Sequence, residues 1–129
     1  PTMDAINKAW FGTFTPHPQH YNPARYRTLN ISPLWESKRT YEIRAYNGST
    51  HAGEVRSAVE FALLLGIRAK NAKAASGRKQ RQTGGIDEKY AMRCFLIRLG
   101  ANGPLFKTLR HHFGKRMEGS AAWRDGRHD

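Results

Sequence analysis

The sequence predicts an α+β chain in which short antiparallel strands precede three main helices. Three observations carry this. Residues 38–46 alternate with a period of two, as a half-buried strand does. Residues 52–74 keep apolar positions at i, i+3 and i+4, as a helix does. The signals Asp87, Gly100, Asn102-Gly103 and Pro104 then mark the ends of two further helices. At 129 residues the chain fits one domain, 1–129, with a modest core.

In chain order, Met3 to Phe11 forms a short helix with Met3, Ile6 and Trp10 near one face, stopped by Gly12, Pro16 and Pro18. The chain to Pro23 reads as loop, and Arg25 to Ile31 as a short extended segment. Lys38 to Tyr46 follows as a strand, with Tyr41, Ile43 and Ala45 on one face and Thr40, Glu42, Arg44 and Tyr46 on the other. Asn47-Gly48 signals a turn, and Ser49 or Thr50 can cap the helix from Ala52 to Ala74. Val55, Ala58, Val59, Ala62, Leu63 and Ile67 supply its expected buried stripe.

Residues 76–85 lack apolar periodicity and read as an exposed basic linker, open to a nicking protease, inside the domain. Asp87 caps a helix to Leu99 with Tyr90, Cys94, Phe95 and Ile97 available for burial, and Gly100 stops it. Pro104 opens a third long helix in which Leu105, Leu109, Phe113 and Met117 recur along one face, with its end at Gly119. Strands this few do not make a sheet with both edges covered, so the pattern predicts a sheet completed elsewhere.

Composition narrows the partners. Lys and Arg number 22 against 10 Asp and Glu, a formal charge of +12, which favours nucleotides, nucleic acid or an acidic protein surface. The single cysteine, Cys94, excludes an intrachain disulfide and a cysteine-based zinc cluster. The N-terminus carries no apolar signal core, and Phe61 to Ile67 is too short to span a bilayer, so the expected location is cytoplasmic with no membrane partner. Pro1 suits a chain that has lost its initiator methionine and equally a boundary within a longer protein.

The sharpest chemical signal is Glu42-Ile43-Arg44. Period two puts a carboxylate and a guanidinium on one strand face, where they suit either a solvent-facing ion pair or the wall of a cleft. In a cleft, the carboxylate is a hard oxygen ligand for Mg²⁺ and the guanidinium a clamp for phosphoryl oxygens. Arg25, Arg27 and Asn30 can place further donors beside them, or can be surface residues. His51 and Gly53 lie at a helix start, where free amides favour anions and glycine permits close approach. Arg78, Lys79 and Arg81 suit contact with nucleic acid or an acidic partner, or a solvated linker. His17, His20, His111 and His112 show no metal-ligand spacing. No P-loop, catalytic triad or paired carboxylate site is visible.

The segments His20-Tyr-Asn-Pro-Ala-Arg-Tyr-Arg-Thr-Leu-Asn30 and Tyr41-Glu-Ile-Arg-Ala-Tyr-Asn-Gly-Ser-Thr-His-Ala-Gly-Glu-Val55 resemble the amidoligases of plasmids and phages. The resemblance continues through Phe95 to Gly103 and Leu105 to Trp123, and is to the C-terminal half of such enzymes. It implies a partial glutamine-synthetase-like fold, a curved antiparallel sheet backed by helices around an ATP and Mg²⁺ cleft. It further implies activation of a carboxylate by ATP and attack by an amine, a carboxylate–amine ligation. By this resemblance Glu42 is a catalytic residue and metal ligand, and Arg44 a catalytic clamp on phosphate or substrate. Arg25, Arg27 and Asn30 become nucleotide or phosphate contacts, and His51 and Gly53 the cleft rim.

The family's other acidic strands are missing from this sequence, so stand-alone ligation is not expected, and a partner carrying the N-terminal half is. Two other functions stay open: a catalytically inactive remnant reused as a protein-binding inhibitor of a host defence complex, and a basic nucleic-acid-binding protein. In both, ATP and Mg²⁺ have no role.

Overall fold

The structure is a computed structural model that describes residues 2–74 and 86–125. The class is α+β: among the described residues there are four α-helices and a two-stranded antiparallel sheet. The chain divides into two compact units, Pro1–Asn47 and Gly48–Asp129. No helix among the described residues is long and apolar enough to cross a membrane. The linker predicted at 76–85, with Arg78, Lys79 and Arg81, lies outside the described residues.

In the first unit, α1 (Met3–Phe11) has the bounds its sequence predicts. Thr2 caps it by accepting from Ala5 N, and Gly12 ends it at φ 85°, a backbone setting that glycine adopts without strain. Its buried residue is Asn7 rather than Met3, which is exposed. Asn7 Nδ2 donates to Thr15 O at 2.8 Å and its Oδ1 accepts from Thr15 N at 2.7 Å, so one amide folds the following loop back on the helix.

The predicted extended segment Arg25–Ile31 is instead a 3₁₀ turn, Pro23–Tyr26, followed by β1 (Leu29–Asn30). The strand read at 38–46 contracts to β2 (Glu42–Ile43). The cause is local. Pro23 and Pro33 each sit at the start of a 3₁₀ turn, which confines the chain that can pair to the five residues between the turns, 27–31, with the strand itself at Leu29–Asn30. Leu29 pairs with Ile43 and Asn30 with Glu42, and Arg44 N extends the ladder to Thr28 O at 2.6 Å. Tyr41 and Ala45, expected on a buried face, are exposed. Asn47-Gly48 continues as open chain with no assigned turn.

The second unit packs three helices: α2 (Ala52–Asn71), α3 (Glu88–Arg98) and α4 (Lys107–Gly114). Its core is Leu64, Leu96, Leu99, Ala101 and Leu109, with Phe61, Leu65, Met92, Phe106 and Phe113 packed around it. The face of α2 expected to be buried is the opposite one. Val55, Val59, Leu63 and Ile67 are 48%, 54%, 61% and 55% exposed, while Ser57 and Leu64 are buried. Ser57 is accommodated in the interior because its hydroxyl donates to Gly53 O at 2.7 Å, so that hydroxyl is not left unpaired by burial. Phe61 then stacks on Phe113 with ring centroids 4.7 Å apart.

The cap of α2 is His51, not Ser49 or Thr50, and the helix ends at Asn71, short of Ala74. Ser49 still contributes: its Oγ accepts from His51 N and donates to Glu54 at 2.7 Å. In α3 the predicted cap holds, with Asp87 Oδ1 accepting from Lys89 N and Tyr90 N. Gly100 ends it at φ 98°. Leu96 is its buried residue, joined by Leu99 just beyond its end, whereas Phe95 and Ile97 are exposed. The third long helix opens with a 3₁₀ turn, Pro104–Phe106, and ends at Gly114 rather than Gly119. Leu109 and Phe113 face inward as expected, and Leu105 does not.

Candidate functional site

The ladder of the first unit sets Asn30 directly opposite Glu42, so their side chains leave the same face of the sheet. Asn30 is buried and uses both ends of its amide. Its Oδ1 accepts from Ser32 N at 3.1 Å, and its Nδ2 donates to Glu42 Oε2 at 2.9 Å. Arg44, two residues along β2's direction, brings Nη1 to 3.5 Å from the same oxygen. The period-two reading thus places Glu42 and Arg44 together, and the antiparallel pairing adds Asn30.

Two more residues frame this cluster. The Arg44 guanidinium lies 5.8 Å from the Tyr26 ring centroid, and the Arg25 guanidinium lies 5.6 Å from the same ring and 5.6 Å from that of Tyr21. Arg25 Nη1 also donates to His20 O at 2.7 Å. Tyr26 therefore carries one arginine on each of two approaches, a role that its sequence position does not announce. Arg27 points elsewhere, over the Trp10 ring at 4.5 Å and onto Trp10 O at 3.1 Å, where it braces α1.

The charges are biased toward ionisation of the carboxylate. The hydrogen bond from Asn30 holds the Glu42 carboxyl below its ordinary value, and Arg44 and Arg25 add to that effect against partial desolvation. Both Glu42 and Arg44 keep open surface, at 51% and 32%. The set suits recognition of an anion that takes the free donors of Arg44 and Arg25. It fits a metal ion poorly by itself, since Glu42 Oε2 already faces Asn30 and Arg44, and no group of three metal-ligating side chains exists among the described residues.

His51 and Gly53 belong to the second unit, where they meet a different group. The His51 and His112 rings lie 5.0 Å apart, and a Cβ on Gly53 would stand 2.5 Å from His112 Nε2, so the glycine makes room for that ring. Desolvation, with Lys115, His51 and His111 nearby, lowers the His112 pKa. Glu54 binds Lys115 and Ser49 and faces Arg116 at 3.8 Å, which brings its pKa down to about 2. His111 and His112 carry no signal in the sequence as partners of His51, because only the packing of α4 on α2 brings them there.

A family model described as "putative amidoligase enzyme" matches residues 1–65. The matched span holds Arg25, Asn30, Glu42, Arg44, His51 and Gly53. It is the N-terminal part of this chain, which does not support assignment to a C-terminal half, and the resemblance read through 95–103 and 105–123 has no counterpart in it. A search of curated proteins gives no match, and a search of solved structures gives none.

Proposed function

Because the chain belongs to the amidoligase family, we propose that its Asn30–Glu42–Arg44 cluster is an anion-recognising corner of an ATP-dependent carboxylate–amine ligase site. The observation that carries this reading is the convergence of Asn30 and Arg44 on one half-exposed carboxylate oxygen inside the matched span. Glu42 acts by holding Arg44, with Asn30 holding Glu42. Arg44 and Arg25 present guanidinium donors to the negative oxygens of ATP or the substrate carboxylate, the charge that a ligase must offset.

Mg²⁺ accompanies ATP in such chemistry, and Glu42 would be one oxygen among the several it needs. The remaining oxygens would have to be supplied by ATP phosphates and by acidic residues outside this cluster, so the corner would be a share of a site and not the whole. A glutamine-synthetase-like sheet, completed by strands from elsewhere, would provide that setting.

Calorimetric titration of the chain with ATP and Mg²⁺ tests the reading. The expected result is measurable binding that Arg44→Ala abolishes and Glu42→Gln weakens about tenfold, the scale of one charge-assisted hydrogen bond. Equal affinity in all three proteins would refute it.

A second reading has its own support. The stripe Val55, Val59, Leu63 and Ile67 gives α2 a second, exposed apolar face besides the one packed in the core, and a contiguous exposed apolar face marks an interaction surface. Under this reading the family scaffold serves as a protein-binding surface, and Leu63→Asp removes binding to the partner while Glu42→Ala does not.

A further inference from the structure

A groove of about 550 Å³ runs between α3 and α4 in the second unit, outside the span that matches the amidoligase model. Each helix gives it one regular face. On α3 these are Lys89, Met92, Arg93 and Leu96, and on α4 they are Lys107, Arg110, His111 and Gly114, the same i, i+3, i+4, i+7 spacing twice.

The chain after Gly119 closes the groove. Asp87 Oδ2 accepts from Ser120 N at 2.6 Å, and Asp87 N donates to Arg124 O at 2.8 Å. Gly119 sits at φ 92°, and a Cβ there would fall 1.9 Å from Asp87 Oδ2, so this approach requires glycine. Arg93 Nη1 then donates to Ala121 O at 3.0 Å, holding Ala121 against the groove.

The lining has a consistent chemistry. Met92, Leu96, Gly114 and Ala121 make an apolar floor, and lysines and arginines make the rim. Among the described residues no Asp or Glu lines it. Lys115 is paired with Glu54, the Asp87 carboxylate interacts with Lys89, and Arg110 Nη1 donates to Ala101 O at 2.8 Å, but among the described residues no carboxylate lies within salt-bridge distance of Lys89, Lys107 or Arg110. Cations gathered at this spacing lie within a Debye length of one another and repel unless anions enter.

We propose that this groove docks an acidic amphipathic segment of a partner protein, its aliphatic side chains on Met92 and Ala121 and its carboxylates against Lys89, Lys107 and Arg110. An apolar floor rewards aliphatic anchors that a phosphate backbone does not carry. Base stacking needs aromatic faces, and among the described residues lining the groove only His111 carries a ring. A second copy of this chain, at +12, brings the wrong charge.

The test is fluorescence polarisation with the whole chain and a labelled helical peptide bearing leucines at i, i+4 spacing flanked by glutamates. Comparators are the same peptide with serine for leucine, and oligothymidylate. Lys89→Glu with Lys107→Glu is the informative variant, since both positions lie in first helical turns, where a carboxylate suits the helix dipole. Lys107→Gln serves if the double variant does not fold.

The expected result is binding of the leucine peptide that weakens at least about tenfold in the double variant, by a smaller factor in Lys107→Gln, and about tenfold with the serine peptide. Absence of binding by the leucine peptide, equal affinity in the variants, equal affinity for the serine peptide, or tighter binding of oligothymidylate would each overturn the assignment.

Discussion

The two units solve the same problem of holding a chain in place by different means. The second unit buries leucines: Leu64, Leu96, Leu99 and Leu109 meet in one cluster, with Leu109 wholly enclosed. The first unit buries Asn7, Asn30 and Ser32, and among its described residues Ala24 is the buried apolar residue. There, side-chain amides fix loops by hydrogen bonds of defined direction, which specify geometry but contribute less to stability than apolar burial. The candidate ligase cluster lies in that polar unit, so its geometry rests on few interactions and should respond to single substitutions.

Leu109→Ala should show the largest effect, a loss of about 2–5 kcal/mol in the thermal or denaturant melt, because it empties the centre of the leucine cluster. A loss under about 1 kcal/mol would mean that the second unit is not organised around this residue.

Asn30→Ala comes next. It strips Ser32 N and the Glu42 carboxylate of their partner, at a cost of about 1–3 kcal/mol. Hydrogen exchange should accelerate at the amides of Ser32 and Arg44, with the amides of α3 unaffected. Acceleration shared with α3 would break the contrast between the units.

Gly119→Ala should cost about 1–3 kcal/mol through its positive φ and its contact with Asp87, and free the segment around Ser120. Loss of protection at Ser120 N while the leucine core stays protected is the expected exchange pattern.

Acid titration sharpens the comparison further. Glu54 has a lowered pKa of about 2 against 4.5, so the stability it contributes is present above 4.5 and is lost as pH falls toward 2. His112 has its pKa lowered by desolvation and cationic neighbours. Its contribution is full above the ordinary histidine value of 6.5 and declines below it, as the unfolded chain takes up the proton first. His112→Gln should flatten the limb that begins below 6.5 and leave the Glu54 limb.

The smallest effect is expected for Val59→Ser, within about 0.5 kcal/mol, because that side chain faces outward. A large loss would show the α2 stripe to be covered in solution.

These contrasts also explain what the sequence discloses. Local signals read true: the bounds of α1, the cap at Asp87 and the stop at Gly100 each depend on neighbours within one turn. The pairing of Glu42 with Arg44 is legible for the same reason. The buried face of α2 is not, since Val55, Val59, Leu63 and Ile67 keep helical spacing as well as Phe61, Leu64 and Leu65 do, and only packing against α4 chooses between them. Asn7 reads as an ordinary polar residue and Asn30 as a donor toward phosphate rather than toward Glu42, because their partners, Thr15 and Glu42, are set by chain reversal. His51 and His112 meet through helix packing, which periodicity does not encode.

The central claim is that the polar unit holds an anion-recognising corner and that Arg44 is its principal donor. Titration of ATP and Mg²⁺ into the chain, into Arg44→Ala and into Lys107→Glu tests it most directly, the last variant altering a basic residue of the other unit. The account predicts binding by the chain and by Lys107→Glu, and none by Arg44→Ala. Binding that survives Arg44→Ala but falls in Lys107→Glu would place the anion site in the leucine-packed unit and contradict the claim.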